Sequence, residues 1–332
     1  MQRKKRVLVT GGLGFIGSHF VEMLLSRGYV VVNVDKQTYA MREDTNFETS
    51  PDYQLIVKDI CDLTELPAGI DVLVNMAAES HVDNSIANSS PFFRTNVAGV
   101  YNLLELVRAI DPPKRPLFIQ ISTDEVYGDI AEGSFKETDR LAPSSPYSAT
   151  KAAADQLVLG WARTHGLSVR IHRSSNNYGY GQRAEKLIPR AMKLAKKGER
   201  VPIHGSGLYK REWTFVGDNC ESILLIMEKG ADGEIYNVSA GEELTNLEVV
   251  KLVLCAMGKP EDFHEFVADR PGQDIRYSVE TSKIRALGWK PTMTVAEYLP
   301  ICKALNEERT RAMPPGRRML LKRLLGLGTK RE

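Results

Sequence analysis

Tyr147 and Lys151 stand four residues apart in the segment PYSATK. Four residues are about one helical turn, so a helix here would place both side chains on one face. A lysine ammonium beside a phenol stabilises the phenolate and lowers the tyrosine pKa from its usual ~10. The spacing therefore predicts a tyrosine that accepts a proton near neutral pH. A surface helix produces the same pattern by chance, so the surrounding elements decide.

Two adjacent carboxylates, Asp124 and Glu125, follow the apolar run 117–121 in the stretch STDEVYG. A reaction that needs one acid and one base can use such a pair when their environments separate their pKa values. The alternative is a solvated loop whose acids do no chemistry. At the carboxyl end of a parallel strand, where ligands bind in α/β sheets, the catalytic interpretation is favoured.

A glycine-rich turn follows the first apolar run, with Gly11, Gly14 and Gly17 in GGLGFIG. A helical pattern, a second β-branched run at 30–34 and the carboxylate of Asp35 come next. This order is typical of a dinucleotide-binding unit, in which the pyrophosphate lies at the helix N-terminus and the acid binds the ribose hydroxyls. Asp35 would repel a 2′-phosphate, which favours NAD over NADP, although Lys36 could tolerate a phosphate.

The elements that position these residues alternate between strand and helix. Strands are predicted at 7–9, 30–34, 54–57, 72–74, 117–121 and 169–171, and helices at 92–110, 147–165 and 185–200. This alternation predicts an α/β fold with a Rossmann-like doubly wound parallel sheet and a smaller C-terminal α/β substrate-binding lobe. The predicted domains are 1–178, with returning segments near 213–240, an interleaved lobe over 179–312, and a basic tail over 313–332.

Composition narrows the function classes. The chain has 332 residues and a net charge of +2, with +7 on residues 309–332 and −5 on the remainder. This balance argues against a nucleic-acid partner. The four cysteines are widely spaced, so neither a metal site nor a disulfide framework is predicted. Without a signal-peptide core or a membrane span, the expected location is the cytoplasm. The basic tail is expected to be solvated or packed on the lobe, with a membrane-surface contact as its alternative.

The chain resembles the extended short-chain dehydrogenases/reductases and, within them, the nucleotide-diphosphosugar 4,6-dehydratases, with dTDP-glucose as the family's default substrate. The matching stretches run in family order from residue 10 to residue 277 and include TGGLGFIGSHF, AAESHVDNSI, STDEVYG, APSSPYSATKAAAD, SNNYG, EKLIP and DRPGQDIRY. STDEVYG is the specific part, because the related epimerases usually carry a serine-rich stretch there.

The resemblance implies a lyase reaction through transient NADH, giving a 4-keto-6-deoxy sugar and water. Tyr147 would remove the C4 hydroxyl proton and Thr123 would hydrogen-bond the C4 oxygen. Glu125 would remove the C5 proton, and Asp124 would protonate the departing C6 hydroxyl. Lys151 completes the implied catalytic set.

The resemblance also implies two sets of binding residues. The cofactor contacts would be Gly11, Gly14, Phe15, Ile16, Gly17, Asp35, Lys36, Thr38, Asp59, Ile60, Ala77, Ala78, Thr95, Tyr147, Lys151 and Asn177. The substrate contacts would be Ser80, Thr123, Asn176, Lys186, Leu187, Pro202, His204, Arg211, Asn246 and Arg270. Arg211 and Arg270 suit a diphosphate, since guanidinium groups bind phosphate oxygens in a fork.

The sequence departs from the family pattern at several places, among them residues 180–184, Met41, His204 and Gln273. These changes leave open a UDP-N-acetylhexosamine 4,6- or 5,6-dehydratase or a 4-epimerase as alternatives. A non-catalytic NAD-binding protein is disfavoured by the intact catalytic set. The helices at 92–110 and 147–165 correspond to those that commonly form a four-helix interface in this superfamily, which predicts a homodimer.

Overall fold

The computed structural model describes residues 3–42, 44–269 and 274–310, with side chains described through residue 305. Arg270, Gln273 and the basic tail at 313–332 lie outside the described residues. The strands are β1 (Arg6–Thr10), β2 (Val30–Asp35), β3 (Tyr53–Val57), β4 (Val72–Asn75), β5 (Leu117–Thr123), β6 (Val169–Ser174), β7 (Asn176–Tyr178), β8 (Val201–His204), β9 (Lys210–Phe215), β10 (Ile235–Val238), β11 (Glu242–Thr245) and β12 (His264–Val267).

The helices alternate with the strands along the chain. They are α1 (Phe15–Ser26), α2 (Val82–Ala87), α3 (Ser90–Phe92), α4 (Gly99–Arg108), α5 (Pro146–His165), α6 (Leu187–Lys197), α7 (Val216–Lys229), α8 (Asn246–Ala256), α9 (Ser282–Ala286) and α10 (Val295–Thr310). A π-helical segment, Phe93–Ala98, joins α3 to α4, so the predicted helix over 92–110 is interrupted near its start.

Within the described chain, seven parallel strands form the main sheet in the order β10-β6-β5-β4-β1-β2-β3. The order reverses at β1, where the chain turns from one half of the sheet to the other. In open α/β sheets a ligand crevice lies at such a switch point, beyond the carboxyl ends of the strands. The predicted doubly wound fold is confirmed.

The core lies on both faces of this sheet, because side chains alternate along each strand. Val7 and Val9 pack in the layer that holds α1, α7 and the smaller lobe. Leu8 points to the opposite layer, which contains apolar residues of α4 and α5. Every one of these three β1 side chains is fully buried, as both-sided burial in a parallel sheet requires.

Outside the main sheet, two smaller sheets carry the C-terminal lobe. β9 pairs with β7 and β11, and β8 pairs with β12. Of the segment near 213–240, β10 joins the main sheet beside β6, whereas β9 ends at Phe215 in the second sheet. The chain thus passes from the second sheet back to the main sheet through α7.

Helix α5 begins with side chains that satisfy its own backbone. At α5, Ser145 accepts from the Ser148 amide at 3.1 Å while the Ser148 hydroxyl accepts from the Ser145 amide at 3.0 Å. Pro146 occupies the first helical position, where the fixed φ of proline suits a helix. Gly166 ends α5 in the left-handed conformation. This well-defined start fixes the orientation of Tyr147.

Candidate active site

Three glycines shape the turn between β1 and α1. Gly11 has φ +70°, and a Cβ there would lie 2.8 Å from the backbone of Ala77. At Gly17 a Cβ would press against the Gly11 carbonyl and lie 2.9 Å from the Cα of Gly12. The backbone therefore approaches closely on both sides of the α1 N-terminus, which no side chain caps. This cradle fits the pyrophosphate of a dinucleotide.

Asp35 closes the far side of the turn. Its carboxylate accepts from the Leu13 amide at 3.0 Å and from the Gln37 amide at 2.8 Å. Beside it, the Gly12 amide donates to the side chain of Asn33 at 2.9 Å. The end of β2 thus holds the glycine turn in place while Asp35 also lines the adjoining cleft.

Lys36 lies among carboxylates. Its ammonium is 3.2 Å from Glu79 and 3.8 Å from Asp59, and it donates to the hydroxyl of Thr95 at 3.2 Å. A lysine ammonium that already contacts two carboxylates binds a 2′-phosphate more weakly than the free lysine that the sequence alone suggested. The charge arrangement therefore favours NAD.

A cleft opens beyond the carboxyl ends of β1, β2 and β4. The predicted cofactor and substrate residues that line it are Gly11, Gly14, Asp35, Lys36, Thr38, Asp59, Ile60, Ala77, Ala78, Ser80 and Thr95. Residues that were not predicted also line it: Val34, Tyr39, Ala40, Met41, Lys58, Met76, Glu79 and Glu185. Phe15, Ile16 and Gly17 lie in the first turn of α1, while Tyr147, Lys151 and Asn177 lie on α5 and β7 rather than in the cleft lining.

The π-helical segment explains how Thr95 reaches the cleft. Asn96 is buried next to it and accepts from the Glu79 amide at 2.9 Å, while its amide group donates to the Glu79 carbonyl at 3.0 Å and to Thr150 at 3.0 Å. A wider turn accommodates these bonds, and π-turns occur frequently at functional sites. Asn96 was missed from the sequence, where a polar residue inside an apolar helical pattern was its only signal.

Thr123 lies at the centre of the predicted catalytic residues. Its hydroxyl donates to one oxygen of Asp124 at 3.1 Å and accepts from the Glu125 amide at 3.3 Å. It also shares a hydrogen bond with the phenol of Tyr147. The end of β5, the turn at 124–127 and the first turn of α5 therefore meet at one point.

Both carboxyl groups are buried, and their neighbouring charges give them different properties. Asp124 is 2% exposed, and its second oxygen is buried with no hydrogen-bond partner among the described residues. Burial, with Glu125 and Glu212 nearby, raises the pKa of Asp124 well above its usual value. Burial also raises the pKa of Glu125, but the cations of Lys186 and Arg211 oppose that rise. Asp124 is thus suited to hold a proton and Glu125 to accept one.

The prediction for Tyr147 was wrong in direction. Burial, followed by the charges of Glu125 and Asp124, raises the pKa of Tyr147, while its bond with Thr123 lowers it. Lys151 is buried too, and burial lowers its pKa to about 8. Its ammonium donates to the Ile121 carbonyl at 2.5 Å. Sequence spacing placed the two side chains together but could not include the effect of burial.

The predicted substrate residues fall into two groups. Lys186 donates to the Ser80 carbonyl at 3.1 Å, and both Lys186 and Arg211 act electrostatically on Glu125. These residues belong to the catalytic surroundings. The other predicted substrate residues lie on β7 (Asn176), α6 (Leu187), β8 (Pro202 and His204) and α8 (Asn246).

The Arg211 guanidinium makes contacts within the protein and is not simply a free group that could bind a diphosphate. Its guanidinium donates to the carbonyls of Lys210 at 2.7 Å and Asp274 at 2.8 Å, and lies 4.3 Å from the Tyr277 ring centroid. The Asp274 carboxylate accepts from the hydroxyls of Tyr277 and Ser144. Sequence analysis missed Asp274 and Tyr277, although both stand in the matched stretch DRPGQDIRY.

The family model described as GDP-mannose 4,6 dehydratase matches residues 8–301 of this chain. Among curated proteins, the chain is 46% identical to low-salt glycan biosynthesis protein Agl12 of Haloferax volcanii over 302 residues, covering 89% of this chain and 96% of that protein. It is 44% identical to a dTDP-glucose 4,6-dehydratase of Streptomyces niveus over 307 residues, covering 89% and 90% of the two chains.

Solved structures give the same picture. A crystal structure of a DesIV double mutant, a dTDP-glucose 4,6-dehydratase of Streptomyces venezuelae with NAD and DAU bound, superposes with a TM-score of 0.86 at 39% identity. The match covers 92% of this chain and 98% of that one. The similarity therefore includes the main sheet, the lobe and the catalytic segments together.

Proposed function

Because the chain belongs to the extended short-chain dehydrogenase/reductase family of NAD-dependent nucleotide-sugar 4,6-dehydratases, we propose that it converts dTDP-glucose to dTDP-4-keto-6-deoxyglucose and water. The observation that carries this proposal is the meeting of Thr123, the Asp124–Glu125 pair and Tyr147 at one point beside the dinucleotide cleft. An epimerase needs no acid–base pair for elimination, so the pair favours dehydration.

Each side chain has one task in this reaction. Tyr147, hydrogen-bonded to Thr123, takes the proton of the sugar C4 hydroxyl. Lys151, one helical turn further along α5, would supply the positive charge that favours the phenolate. NAD, when bound, supplies the hydride acceptor for C4 and the hydride donor for C6. The glycine turn at 11–17, with Asp35 and Lys36, would hold it.

The elimination then needs one base and one acid. Oxidation at C4 makes the C5 proton acidic, and Glu125 removes it. Asp124, which burial keeps protonated, donates a proton to the C6 hydroxyl, so that the C6–O bond breaks and water leaves. Lys186 and Arg211 lie close enough to Glu125 to favour its charged form before the step.

The identity of the sugar nucleotide is tested with the full chain and a panel of dTDP-, UDP-, GDP- and CDP-sugars. Mass spectrometry should show the loss of one water from dTDP-glucose before any other member. Preferred water loss from a UDP-N-acetylhexosamine would replace the proposed substrate, and water loss from none would overturn the dehydratase proposal.

Two variants separate the steps. Tyr147→Phe should abolish oxidation at C4, so neither reduced cofactor absorbance nor product appears. Glu125→Gln should still accumulate reduced cofactor absorbance while forming no product, because only the elimination is blocked. Glu132→Gln, an exposed glutamate seven residues along, is the matched control and should behave as wild type. Wild-type turnover by either active-site variant would contradict its assigned role.

The assembly that we propose is a cytoplasmic homodimer formed through α4 and α5. Phe93 and Tyr101 are exposed apolar side chains on this face, at 62% and 49%, and Tyr101 packs edge-on against Trp161 of α5 at 5.7 Å. Four free cysteines are consistent with a reducing compartment. Within the described chain, no helix is long and apolar enough to cross a membrane. Light scattering should give the mass of a dimer, and Tyr101→Glu that of a monomer.

The division into domains remains a proposal as well. We assign residues 1–178, together with α7 and β10, to the cofactor domain, and the rest of 179–312 to the substrate lobe.

A further inference from the structure

A buried polar network lies behind the Tyr147–Lys151 face of α5. Asp155, one helical turn after Lys151, is fully buried, and Arg173 on β6 is 1% exposed. One oxygen of Asp155 accepts from the Arg173 Nε at 2.9 Å and from the Ser122 hydroxyl at 3.0 Å. Ser122 immediately precedes Thr123, so the network joins the catalytic turn to the catalytic helix.

The network continues away from the reacting groups. Arg173 donates to the Tyr127 hydroxyl at 2.7 Å, and its guanidinium lies 4.8 Å from the centre of that ring. Tyr127 in turn donates to Asn237 of β10 at 2.8 Å. On this side Arg173 meets neutral partners, so Asp155 is the carboxylate that balances it.

The charges in this compartment do not cancel. Lys151 and Arg173 are both buried cations. Asp155, one helical turn after Lys151, forms an ion pair with Arg173 at 2.9 Å. The other oxygen of Asp155 is buried without a hydrogen-bond partner among the described residues. An ammonium in such a dry site loses its proton readily unless a nearby anion stabilises the charge. Asp155 raises the pKa of Lys151 against the effect of burial.

The remaining titratable groups around Lys151 come from two elements. Tyr147 lies on the same helix, and Asp124 and Glu125 lie on the turn after β5, where burial raises the pKa of each of these three groups. Burial raises the pKa of Asp155 as well, but Arg173, Lys151 and the Ser122 hydroxyl oppose that rise. Among the described groups, Asp155 is the one whose charge raises the pKa of Lys151. Arg173 on β6 adds a positive charge. Asp155 is therefore the anion best placed to act on Lys151.

We propose that Asp155 is a positioning residue that keeps Lys151 protonated during the reaction, and that Arg173 limits how strongly it does so. This inference rests on the proposed function, because the Lys151 charge is needed to favour the Tyr147 phenolate. It adds to the implied catalytic set a residue that touches neither substrate nor cofactor. A merely structural role, in which the Asp155–Arg173 pair ties α5 to β6, makes different predictions for the variants below.

The test measures the Lys151 titration directly. The full-length protein is labelled with ¹³Cε-lysine, and the Lys151 signal is identified by its loss in Lys151→Arg. Asp155→Asn should lower the pH midpoint of Lys151 by about one pH unit or more, a tenfold change in the proton equilibrium. Ser122→Ala is the matched comparison, since it removes a hydrogen bond to Asp155 but keeps the carboxyl group, and its midpoint should move less than that of Asp155→Asn.

The double variant Asp155→Asn/Arg173→Met removes both members of the buried ion pair and so avoids leaving Arg173 unpaired if Asp155→Asn alone fails to fold. Its Lys151 midpoint should lie below wild type but above that of Asp155→Asn. A midpoint at or above the wild-type value in either Asp155 variant would overturn the proposal. A double-variant midpoint at or below that of Asp155→Asn would overturn the part given to Arg173.

Activity provides the second measurement. With dTDP-glucose, the alkaline limb of the kcat profile in Asp155→Asn should move to lower pH by the same amount as the Lys151 midpoint. An unmoved alkaline limb in an active variant would overturn the inference. The two proposals can fail separately: a shifted midpoint in a wild-type protein that dehydrates no sugar nucleotide would count against the substrate assignment alone.

Discussion

The cofactor side and the sugar side of the active site are built in different ways. On the cofactor side, the glycine turn, Asp35 and the residues after β4 come from the first 80 residues, and the neighbouring parallel strands β1, β2 and β4 carry them. On the sugar side, Arg211 binds the carbonyl of Asp274 across 63 positions, and Ser144 binds the Asp274 side chain across 130.

This difference shows which parts of the site depend on local rules. A turn that brings backbone close to a ligand needs glycines at fixed positions, and those positions are visible in the sequence. A wall assembled from distant segments needs only side chains that meet after folding. Substitutions on the cofactor side should therefore alter NAD binding alone, and those on the sugar side should alter substrate binding alone.

The largest effect is expected from Gly17→Ala. The added Cβ would meet the carbonyl of Gly11 and the Cα of Gly12, which are backbone atoms that cannot move independently of the turn. We expect the NAD content of the purified protein, measured by chromatography after denaturation, to fall more than tenfold, a loss above about 1.4 kcal/mol.

Gly160→Ala provides the control for this prediction. Gly160 lies within α5, and a Cβ there would have no atom within 4 Å. Alanine is the better helix former, so this variant should keep its NAD and gain about 0.5–1 kcal/mol of stability. A Gly17→Ala protein with its full complement of NAD would show that the close approach does not matter.

The sequence predicts more of the cofactor side than of the sugar side. The doubly wound parallel sheet and the glycine turn followed from periodicity and glycine spacing, because those patterns reflect local geometry. Asp124, Glu125 and Tyr147 were predicted from the sequence as one site, but their environments were not: burial reversed the expected direction of the Tyr147 pKa. Asp155 and Asp274 were missed because the groups that they bond, Arg173 and Ser122 for Asp155 and Ser144 for Asp274, lie on other elements, and no short spacing in the sequence predicts such a contact.

A smaller effect is expected from Arg211→Lys on the sugar side. Lysine keeps the positive charge near Glu125 but cannot donate to the Lys210 and Asp274 carbonyls in a fork or stack on Tyr277. We expect KM for the nucleotide sugar to rise about tenfold with kcat within about threefold, since a loss of uniform binding raises KM alone. NAD content should not change.

The control for Arg211 is Arg200→Lys, in the same lobe. Arg200 also donates to two backbone carbonyls, those of Asp262 and His264, and lies 5.8 Å from the Phe263 ring centroid. Its substitution should leave KM unchanged. A loss of NAD in Arg211→Lys would remove the separation between the two sides.

The smallest effect tests where the two sides meet. Arg183, from the segment that departs from the family pattern, donates to the Met41 carbonyl at 2.9 Å and to that of Tyr39. Both Tyr39 and Met41 line the cofactor cleft, so a loop from beyond β7 holds part of the cofactor side. Arg183→Ala should therefore speed NAD release about threefold, the effect of losing one partly exposed hydrogen-bonded contact of under about 1 kcal/mol.

Arg115→Ala, which also loses bonds to backbone carbonyls but at Arg108, Ile110 and His165, should release NAD at the wild-type rate. Stopped-flow measurement of NAD displacement by an analogue compares the two. Equal rates in both variants would mean that the cofactor side is complete without the later loop, and would make the division between the sides sharper than the contacts of Arg183 suggest.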